Sequence, residues 1–581
     1  MSQEKNQVLG TQPLNQEGRS DMEAFAESME VNAFEADAHL QRILPLYTSE
    51  ARLDGLVGEL KRFGAEVSGP VDALVRKNNE AANLPRLERW TEYGTRIEKI
   101  DHHPTYHEAG RYIYGSGVMA AYADHPNSIG ALSRFYVSSF NGEAGHNCPV
   151  ACTAGAIRVL QELGTPELKE KYLPGLLNRD YKDHVEGAQF LTEIQGGSDV
   201  GSNDSRAERN DDGTWRIFGE KWFCSNIDAD IFLMTARPDG APEGTRGLGL
   251  FLVPREHDDG SVNEFYIRRL KDKLGTRSMA SGECDFRGAT AHHMGSLEEG
   301  FKNMMNLVIN TSRLYNAVGT CGVMRKAFVI GQSYARHRRA FGPPIIDYPL
   351  VQETLANVKA EIDACVSGSF HLVGLQDRLD RGEGDDDLKS FFRVALNINK
   401  ARTARSGTWA CVQGIEILGG NGAIESFSIL PRLLRDSIVY ENWEGTHNTL
   451  YMQVLKDMHK YRFQEGFVNY LRGLIQESST QESSTQLADE LDLMLSGLEE
   501  EITAVLSADP ASASLAMRPL ADRMCDVMYA TIRVWERSRS QVGDDDDDLA
   551  SLEHFFDLRL RTNRKASTKS YLARLSRVAR S

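Results

Sequence analysis

Long apolar runs are missing from this chain. No stretch approaches the roughly 18 consecutive apolar residues that a membrane-spanning helix needs. Met1 to Gln12 is polar and holds no apolar core for a secretory signal. Cysteine is scarce, with eight in 581 residues, too few for a disulfide framework. The nearest pair, Cys148 and Cys152, has no second pair to complete a zinc site, so no metal is expected. Positive charge is in deficit: 66 Lys and Arg against 83 Asp and Glu leave a formal charge of −17. Such a chain repels phosphate backbones at long range, and nucleic-acid binding would need a segregated basic patch. The signatures G-x-G-x-x-G after a strand, G-x-x-x-x-G-K-[ST] and H-E-x-x-H are all absent, which disfavours a Rossmann dehydrogenase, a P-loop enzyme and a zincin. The compartment reads as cytoplasmic and reducing.

What is present is ordinary for a globular chain: 41% hydrophobic and 26% charged residues. At roughly 100–200 residues per domain, about three or four domains are expected. From Met22 to about Tyr181 the sequence reads as helical, with breaks at Gly64–Pro70 and Asp101–Pro104. Thr165-Pro166 supplies a capping hydroxyl and a proline for the first helical position, and that helix is expected to stop at Pro174. From Ala188 to about Met294 the pattern alternates, with a hairpin signal at Asn210-Asp211-Asp212-Gly213 and strand-length apolar runs at Ile231–Met234 and Leu248–Val253. Steps of three and four return at Leu314, Val318, Cys321 and Met324, and again at Leu355, Val358, Ile362 and Val366, predicting a helical bundle. Gln-Glu-Ser-Ser-Thr occurs twice over Gln476–Thr485, which predicts a flexible linker into a helical tail. There the five aspartates Asp544–Asp548 precede a basic end with Arg559, Arg561, Arg564, Lys565, Lys569, Arg574, Arg577 and Arg580. The expected domains are 1–187, 188–297, 298–460 and 461–581.

Five segments carry candidate chemistry. Leu191-Thr192-Glu193-Ile194-Gln195-Gly196-Gly197-Ser198-Asp199 combines hydroxyls with glycines that let a polar or anionic ligand approach the backbone; by itself it also fits an ordinary strand-to-turn segment. Lys221-Trp222-Phe223-Cys224-Ser225 offers rings for stacking on a planar group, although such rings also build cores. Tyr334–Gly342 ends a helix with clustered cations that suit either the helix C-terminus or a diphosphate. Glu416-Ile417-Leu418-Gly419-Gly420-Asn421-Gly422 closes another helix, as a plain C-cap also would. Tyr440–Asn448 places Glu444 between a tryptophan and a glycine, with a hydroxyl and an amide following.

In this order and at these intervals, the five segments resemble the acyl-CoA dehydrogenase family from about Gly164 to Leu455. Gln195–Val200, Lys221-Trp222-Phe223, Arg269–Gly275 and Trp443-Glu444-Gly445 resemble its AidB-like branch of alkylation-response flavoproteins. The resemblance implies a mostly α fold with a β-barrel domain, a helical N-terminal domain, a C-terminal four-helix bundle and an added helical tail. It implies FAD as cofactor, oxidation of an acyl-CoA to the trans-2-enoyl form, an acceptor such as electron-transfer flavoprotein, and a homo-oligomer, usually a tetramer. Carried over residue by residue, Leu191, Thr192, Gly197 and Ser198 match the loop around the flavin. Phe223 stands where a stacking tryptophan is usual, with Cys224 and Ser225 beside it. Arg338 and Phe341 match the helix end that grips the dinucleotide of a neighbouring subunit, and Glu416 and Gly420 the turn that meets it. Thr446 and Asn448 match cofactor contacts. Glu444 matches the base that takes the α-proton, and Arg313 a substrate-binding residue. Ser312 occupies the position where some members carry an alternative base and cannot serve as one. Glu416 departs from the family's usual glutamine. Two other readings share these motifs: a DNA-associated stress flavoprotein with weak dehydrogenase activity, which the acidic tail disfavours, and an acyl-CoA oxidase.

Overall fold

The computed structural model describes residues 16–479, 482–540, 546–562 and 568–581. The N-terminal part is helical: α1 (Gln16–Glu27), α2 (Ala38–Tyr47), α3 (Glu50–Glu66), α4 (Asp72–Asn78), α5 (Pro104–Gly115), α6 (Ser128–Ser138), α7 (Asn147–Leu163) and α8 (Pro166–Leu176). Three local expectations are corrected here. The Gly64–Pro70 break is absent, because a widened turn at Val67–Val71 absorbs Pro70 and joins α3 to α4. Glycine is still required at Gly64, where a β-carbon would stand 2.1 Å from Asn32 Oδ1. Arg86–Trp90 and Arg96–Asp101 form an antiparallel hairpin, β1 and β2, inside the segment read as helical. Helix α8 starts as expected, with Thr165 Oγ1 accepting from Leu168 N, but it runs through Pro174 to Leu176. A proline in the last turn removes only one amide, so the helix tolerates it.

The alternating segment is a closed barrel. Strands β3 (Gly187–Phe190), β4 (Arg206–Arg209), β5 (Trp215–Ser225), β6 (Ile231–Pro238), β7 (Gly249–Pro254), β8 (Phe265–Leu270) and β9 (Ser281–His293) make one sheet. The pairings β6–β7, β7–β9, β9–β5, β5–β4 and β4–β6 complete a ring; β3 joins β6 in parallel and β8 joins β9. Closure leaves the ring no free edge. Trp215, Phe232, Phe251, Phe265 and Phe286 fill its interior.

After a short α9 (Gly300–Asn303) the bundle comprises α10 (Asn310–His337), α11 (Pro349–Asp380), α12 (Asp386–Leu418), α13 (Leu430–Asn442) and α14 (His447–Tyr461). Helices α10 and α12 run parallel in register. Arg313 bonds to Asn397, Gly407 meets Thr320 and Gly414 meets Ala327, and Asn421 bonds to Tyr334. The tail is α15 (Phe463–Ser478), α16 (Glu482–Ser507), α17 (Pro510–Arg539), α18 (Asp546–Arg559) and α19 (Lys569–Arg580), and it shares one apolar core with the bundle. The linker expected at Gln476–Thr485 is corrected to two helix ends, with residues 480 and 481 outside the described residues. Asp544, Asp545, Arg564 and Lys565 also lie outside them.

The reversed charges of the tail find each other. Asp548 is buried against Arg42, Arg533 and Arg537. Arg559 meets the buried Glu361, Arg561 meets Glu490 and Asp557, Arg574 meets Glu553 and Asp557, Arg577 meets Asp546 and Asp547, and Arg580 meets Asp347.

Candidate functional site

The site grows from the contact between α7 and β3. At Gly187 a β-carbon would stand 2.7 Å from Ala156 Cβ, and Gly187 N donates to Thr153 Oγ1 at 3.0 Å. This close packing holds Gln189 on β3 beside Cys148 and Cys152 on α7. Together with Ser312 and Tyr315 of α10 and with Tyr440, Trp443 and Glu444 they line a cavity with about 400 Å³ of empty space. Cys148 Sγ and Cys152 Sγ are 4.0 Å apart.

Glu444 sits in the left-handed region at φ 57°, followed by Gly445 at φ 107°. Such a turn requires support, and two buried cations give it through main-chain carbonyls. Arg313 Nε donates to Glu444 O at 3.1 Å. Lys400 Nζ donates to Glu441 O at 3.1 Å and to Gly445 O at 3.0 Å. Gln189 Nε2 donates to Glu444 Oε1 at 3.0 Å and to Ser312 Oγ at 3.1 Å. Burial raises the Glu444 carboxyl to about 7, against the pull of Arg313, Lys400 and Gln189. Burial lowers the Lys400 ammonium to about 7, with Glu444 opposing that shift. A carboxyl poised near neutrality at the wall of an apolar cavity has the properties of a general base.

The Leu191–Ser198 loop lies against the barrel. Its anchor is Glu193, which accepts from Lys221 Nζ at 2.6 Å and from Ser205 Oγ at 2.6 Å. Burial pushes the Glu193 carboxyl up, but Lys221 and Ser205 outweigh it and hold it below the usual range. Thr192 O accepts from Trp222 N at 2.8 Å, which ties the loop to the aromatic strand. Leu191 takes part through its carbonyl, which accepts from Asn203 Nδ2 at 2.7 Å. At Gly197 a β-carbon would stand 2.6 Å from Thr192 Oγ1. Ser198 Oγ lies 3.1 Å from Thr449 Oγ1, which lies 3.0 Å from Thr446 Oγ1. A chain of hydroxyls therefore links the barrel loop to the start of α14. Phe223 is 52% exposed, with Lys271 Nζ 4.6 Å above its ring. Ser225 Oγ lies 3.3 Å from Ser281 Oγ. Cys224 faces the barrel core, so only its backbone is available to a ligand. Asn448 Oδ1 accepts from Arg518 Nη2 of the tail at 2.9 Å.

Two groups of the sequence-derived residues are far apart. Arg338 and Phe341 follow α10, Glu416 and Gly420 end α12, and these two ends are neighbours. Arg313, in the first turn of α10, and Lys400, in the middle of α12, lie well back along the same helix pair. At 1.5 Å per residue, Arg313 and His337 are separated by about 36 Å along α10. Arg313 is occupied with the Glu444 carbonyl and Asn397 and is absent from the cavity lining. Gln189, Thr449 and Lys400 join the site although no motif singled them out. Thr449 had a signal, since it stands one helical turn after Thr446.

Models of the acyl-CoA dehydrogenase middle and C-terminal domains match residues 188–289 and 298–459, and the adaptive response protein AidB N-terminal domain matches residues 25–183. The chain is 31% identical over 439 residues to acyl-CoA dehydrogenase family member 11 of Caenorhabditis elegans, covering 73% of this chain and 70% of that protein. It is 31% identical over 483 residues to the putative acyl-CoA dehydrogenase AidB of Escherichia coli, covering 80% and 86%. The solved structure of Caenorhabditis elegans ACDH-11 in complex with C11-CoA matches 92% of both chains, with a TM-score of 0.84 and 26% identity. An acyl-CoA dehydrogenase complexed with FAD from Bacillus anthracis, 18% identical, shares the fold with a TM-score of 0.68, over 95% of this chain and 98% of that one. The family is FAD-dependent. With its domain sequence, its closed barrel and the glutamate turn beneath the bundle all accounted for, the chain belongs to the acyl-CoA dehydrogenase family.

Proposed function

We propose that this protein is an FAD-dependent acyl-CoA dehydrogenase in which Glu444 removes the α-proton of the thioester. The observation that carries the reading is Glu444 itself, held in a left-handed turn at a cavity wall with its carboxyl raised to about 7. The α-proton of a thioester is too weakly acidic to leave unaided, and a base near neutrality is ionised at working pH yet basic enough to take up the proton. Gln189 fixes the carboxyl in place and is itself held by Ser312. Arg313 and Lys400 fix the backbone on either side of it, so the base meets the substrate without reorganising. The apolar walls formed by Phe135, Tyr315, Tyr440 and Trp443 exclude water from the acyl chain. An acyl-CoA ligand is supported by the C11-CoA bound in the Caenorhabditis elegans relative.

The residues present fit FAD. Gly197 packs directly against the Thr192 side chain and so lets the loop backbone lie close to the barrel, the Ser198–Thr449–Thr446 hydroxyls line up beside it, and Phe223 is exposed for stacking. These residues, with Thr192 and Ser225, would hold the cofactor. When bound, FAD would supply a hydride acceptor for the β-carbon and a route for the electron pair to a protein such as electron-transfer flavoprotein. The pairing of the tail arginines with acidic residues supports the enzyme over a DNA-associated role.

Glu444→Gln tests the assignment. The amide keeps the shape but accepts no proton, so FAD should stay bound while flavin bleaching by an acyl-CoA under anaerobic stopped flow disappears. Equal reduction rates for mutant and wild type would remove Glu444 from the reaction.

A further inference from the structure

All eight cysteines are buried free thiols, but two of them, Cys148 and Cys152, line the cavity beside Glu444. They stand one turn apart on α7, and their sulfurs are 4.0 Å from each other. Met279 and Trp443 pack around them. No step proposed for Glu444 uses either thiol.

Two facing thiols can be joined in three ways, and local physics separates them. A disulfide needs β-carbons about 3.5–4.5 Å apart, whereas positions i and i+4 of a helix hold them about 5–6 Å apart. Oxidation would therefore have to distort α7. A metal ion needs thiolates, and among the described residues no three His, Cys, Asp or Glu groups converge to hold one. Two thiolates would also lie next to a carboxylate: the contact with Cys148, burial and the Glu444 charge together push the Cys152 thiol up. The remaining bridge is a single trivalent, thiophilic atom whose adduct is neutral. Two bonds of about 2.3 Å, the length of a metal–thiolate bond, meeting at a pyramidal or tetrahedral angle set the sulfurs about 3.4–3.8 Å apart. A small side-chain rotation reaches that separation from 4.0 Å.

We propose that Cys148 and Cys152 form a dithiol site in the acyl cavity that captures trivalent arsenicals. With an arylarsine oxide, two As–S bonds form as the bond from arsenic to its oxide oxygen breaks, and the two thiol protons leave on that oxygen as water. Arsenic stays trivalent, and nothing is oxidised or reduced. The adduct carries no charge, so it adds none to the buried site beside Glu444. Phe135, Tyr315 and Trp443 on the cavity wall offer rings to the aryl group. The captured group takes the space of the acyl chain and should block turnover. That consequence rests on the dehydrogenase reading, whereas the capture itself does not, so the two can fail separately.

Treatment of the full-length, flavin-loaded protein with phenylarsine oxide tests the proposal, with intact mass as the readout. Wild type should gain a single phenylarsenic group per chain in place of two hydrogens. It should keep that group through a wash with the monothiol mercaptoethanol and lose it to the dithiol dimercaptopropanol. Cys148→Ser and Cys152→Ser should each lose the wash-resistant label, because arsenic held by one sulfur exchanges with the monothiol. An acyl-CoA at about ten times its Kd should slow labelling about tenfold, since about one chain in eleven is then free. The proposal is overturned if wild type keeps no label through the monothiol wash or if either serine variant keeps it as wild type does. It is also overturned if a saturating acyl-CoA perturbs the flavin spectrum yet leaves the labelling rate unchanged.

Discussion

Replacing Gln189 by leucine tests how its surroundings set the basicity of Glu444. The Gln189 amide donates to the Glu444 carboxyl at 3.0 Å, and this bond favours the charged form. Burial nevertheless places the carboxyl at about 7. The group is protonated and inert below that value and ionised above it, so kcat/KM should rise with pH and level off above neutrality. At pH 6 about one-tenth of the carboxylate remains, giving about a tenfold loss. A hydrogen bond to a charged group contributes about 1.5–3 kcal/mol. Its removal should therefore move the midpoint up by about one to two pH units, at roughly 1.4 kcal/mol per unit. The assay is flavin reduction by an acyl-CoA from pH 5.5 to about 8.5, read as kcat/KM so that the free enzyme is reported. A wild-type profile that is flat over this range, or a Gln189→Leu midpoint that moves down, would refute the reasoning.

Two further outcomes concern the tail. Asp548→Asn strips the charge that Arg42, Arg533 and Arg537 face in a buried network, and should cost about 3–5 kcal/mol in urea denaturation. Burial pushes the Asp548 carboxyl up, but His39, Arg42 and Arg533 hold it far below the ordinary range. Its contribution is therefore complete above the ordinary carboxylate range and lost progressively as the pH falls from that range into strong acid, and a variant as stable as wild type at pH 7 would remove Asp548 from the clamp. Duplex DNA should not bind below micromolar concentration at physiological salt, because Arg559, Arg561, Arg574, Arg577 and Arg580 already meet carboxylates; submicromolar binding by anisotropy would reverse that expectation.

The barrel and the bundle were legible in the sequence because period two and period 3.6 are local signals. Glu444 was legible because its neighbours form a contiguous motif. The β1–β2 hairpin was hidden because its alternate positions are charged and solvated, so Arg86–Trp90 lacks the apolar stripe that marks a strand. The Gln-Glu-Ser-Ser-Thr repeat misled in the opposite direction: its polarity suits a linker, but Glu and Gln also propagate helix. Lys400 was illegible for a deeper reason. Its ammonium is aimed by the parallel packing of α12 beside α10, and in one dimension it is a lysine among bundle positions. Gln189 likewise gains its meaning only when β3 closes onto α7.

The same helix pair makes the reach of the cofactor site testable. Arg338, Phe341, Glu416 and Gly420 cluster at one end of α10 and α12, and the Glu444 turn rests on Arg313 and Lys400, about 36 Å back from that end along α10 and about 27 Å back along α12. Phe341 is 98% exposed and held at φ 55°, a conformation a bulky residue seldom adopts alone. If both sets serve one cofactor, they must come from two chains. Arg338→Ala removes a charge-assisted contact of about 1.5–3 kcal/mol and should leave the variant empty at limiting FAD. Glu444→Gln should bind FAD and remain inactive. Mixed oligomers contain sites that take Glu444 from the first variant and Arg338 from the second, and in an equal mixture about one quarter of sites are of this kind. Reassembly of the two inactive variants should therefore restore about a quarter of wild-type activity per site, with flavin tightly bound in about half of the sites, namely those whose Arg338 comes from the Glu444→Gln chains. If the mixture is no more active than its components, although size measurements show that the chains have exchanged, each chain binds its cofactor alone, and the Arg338 cluster has another role.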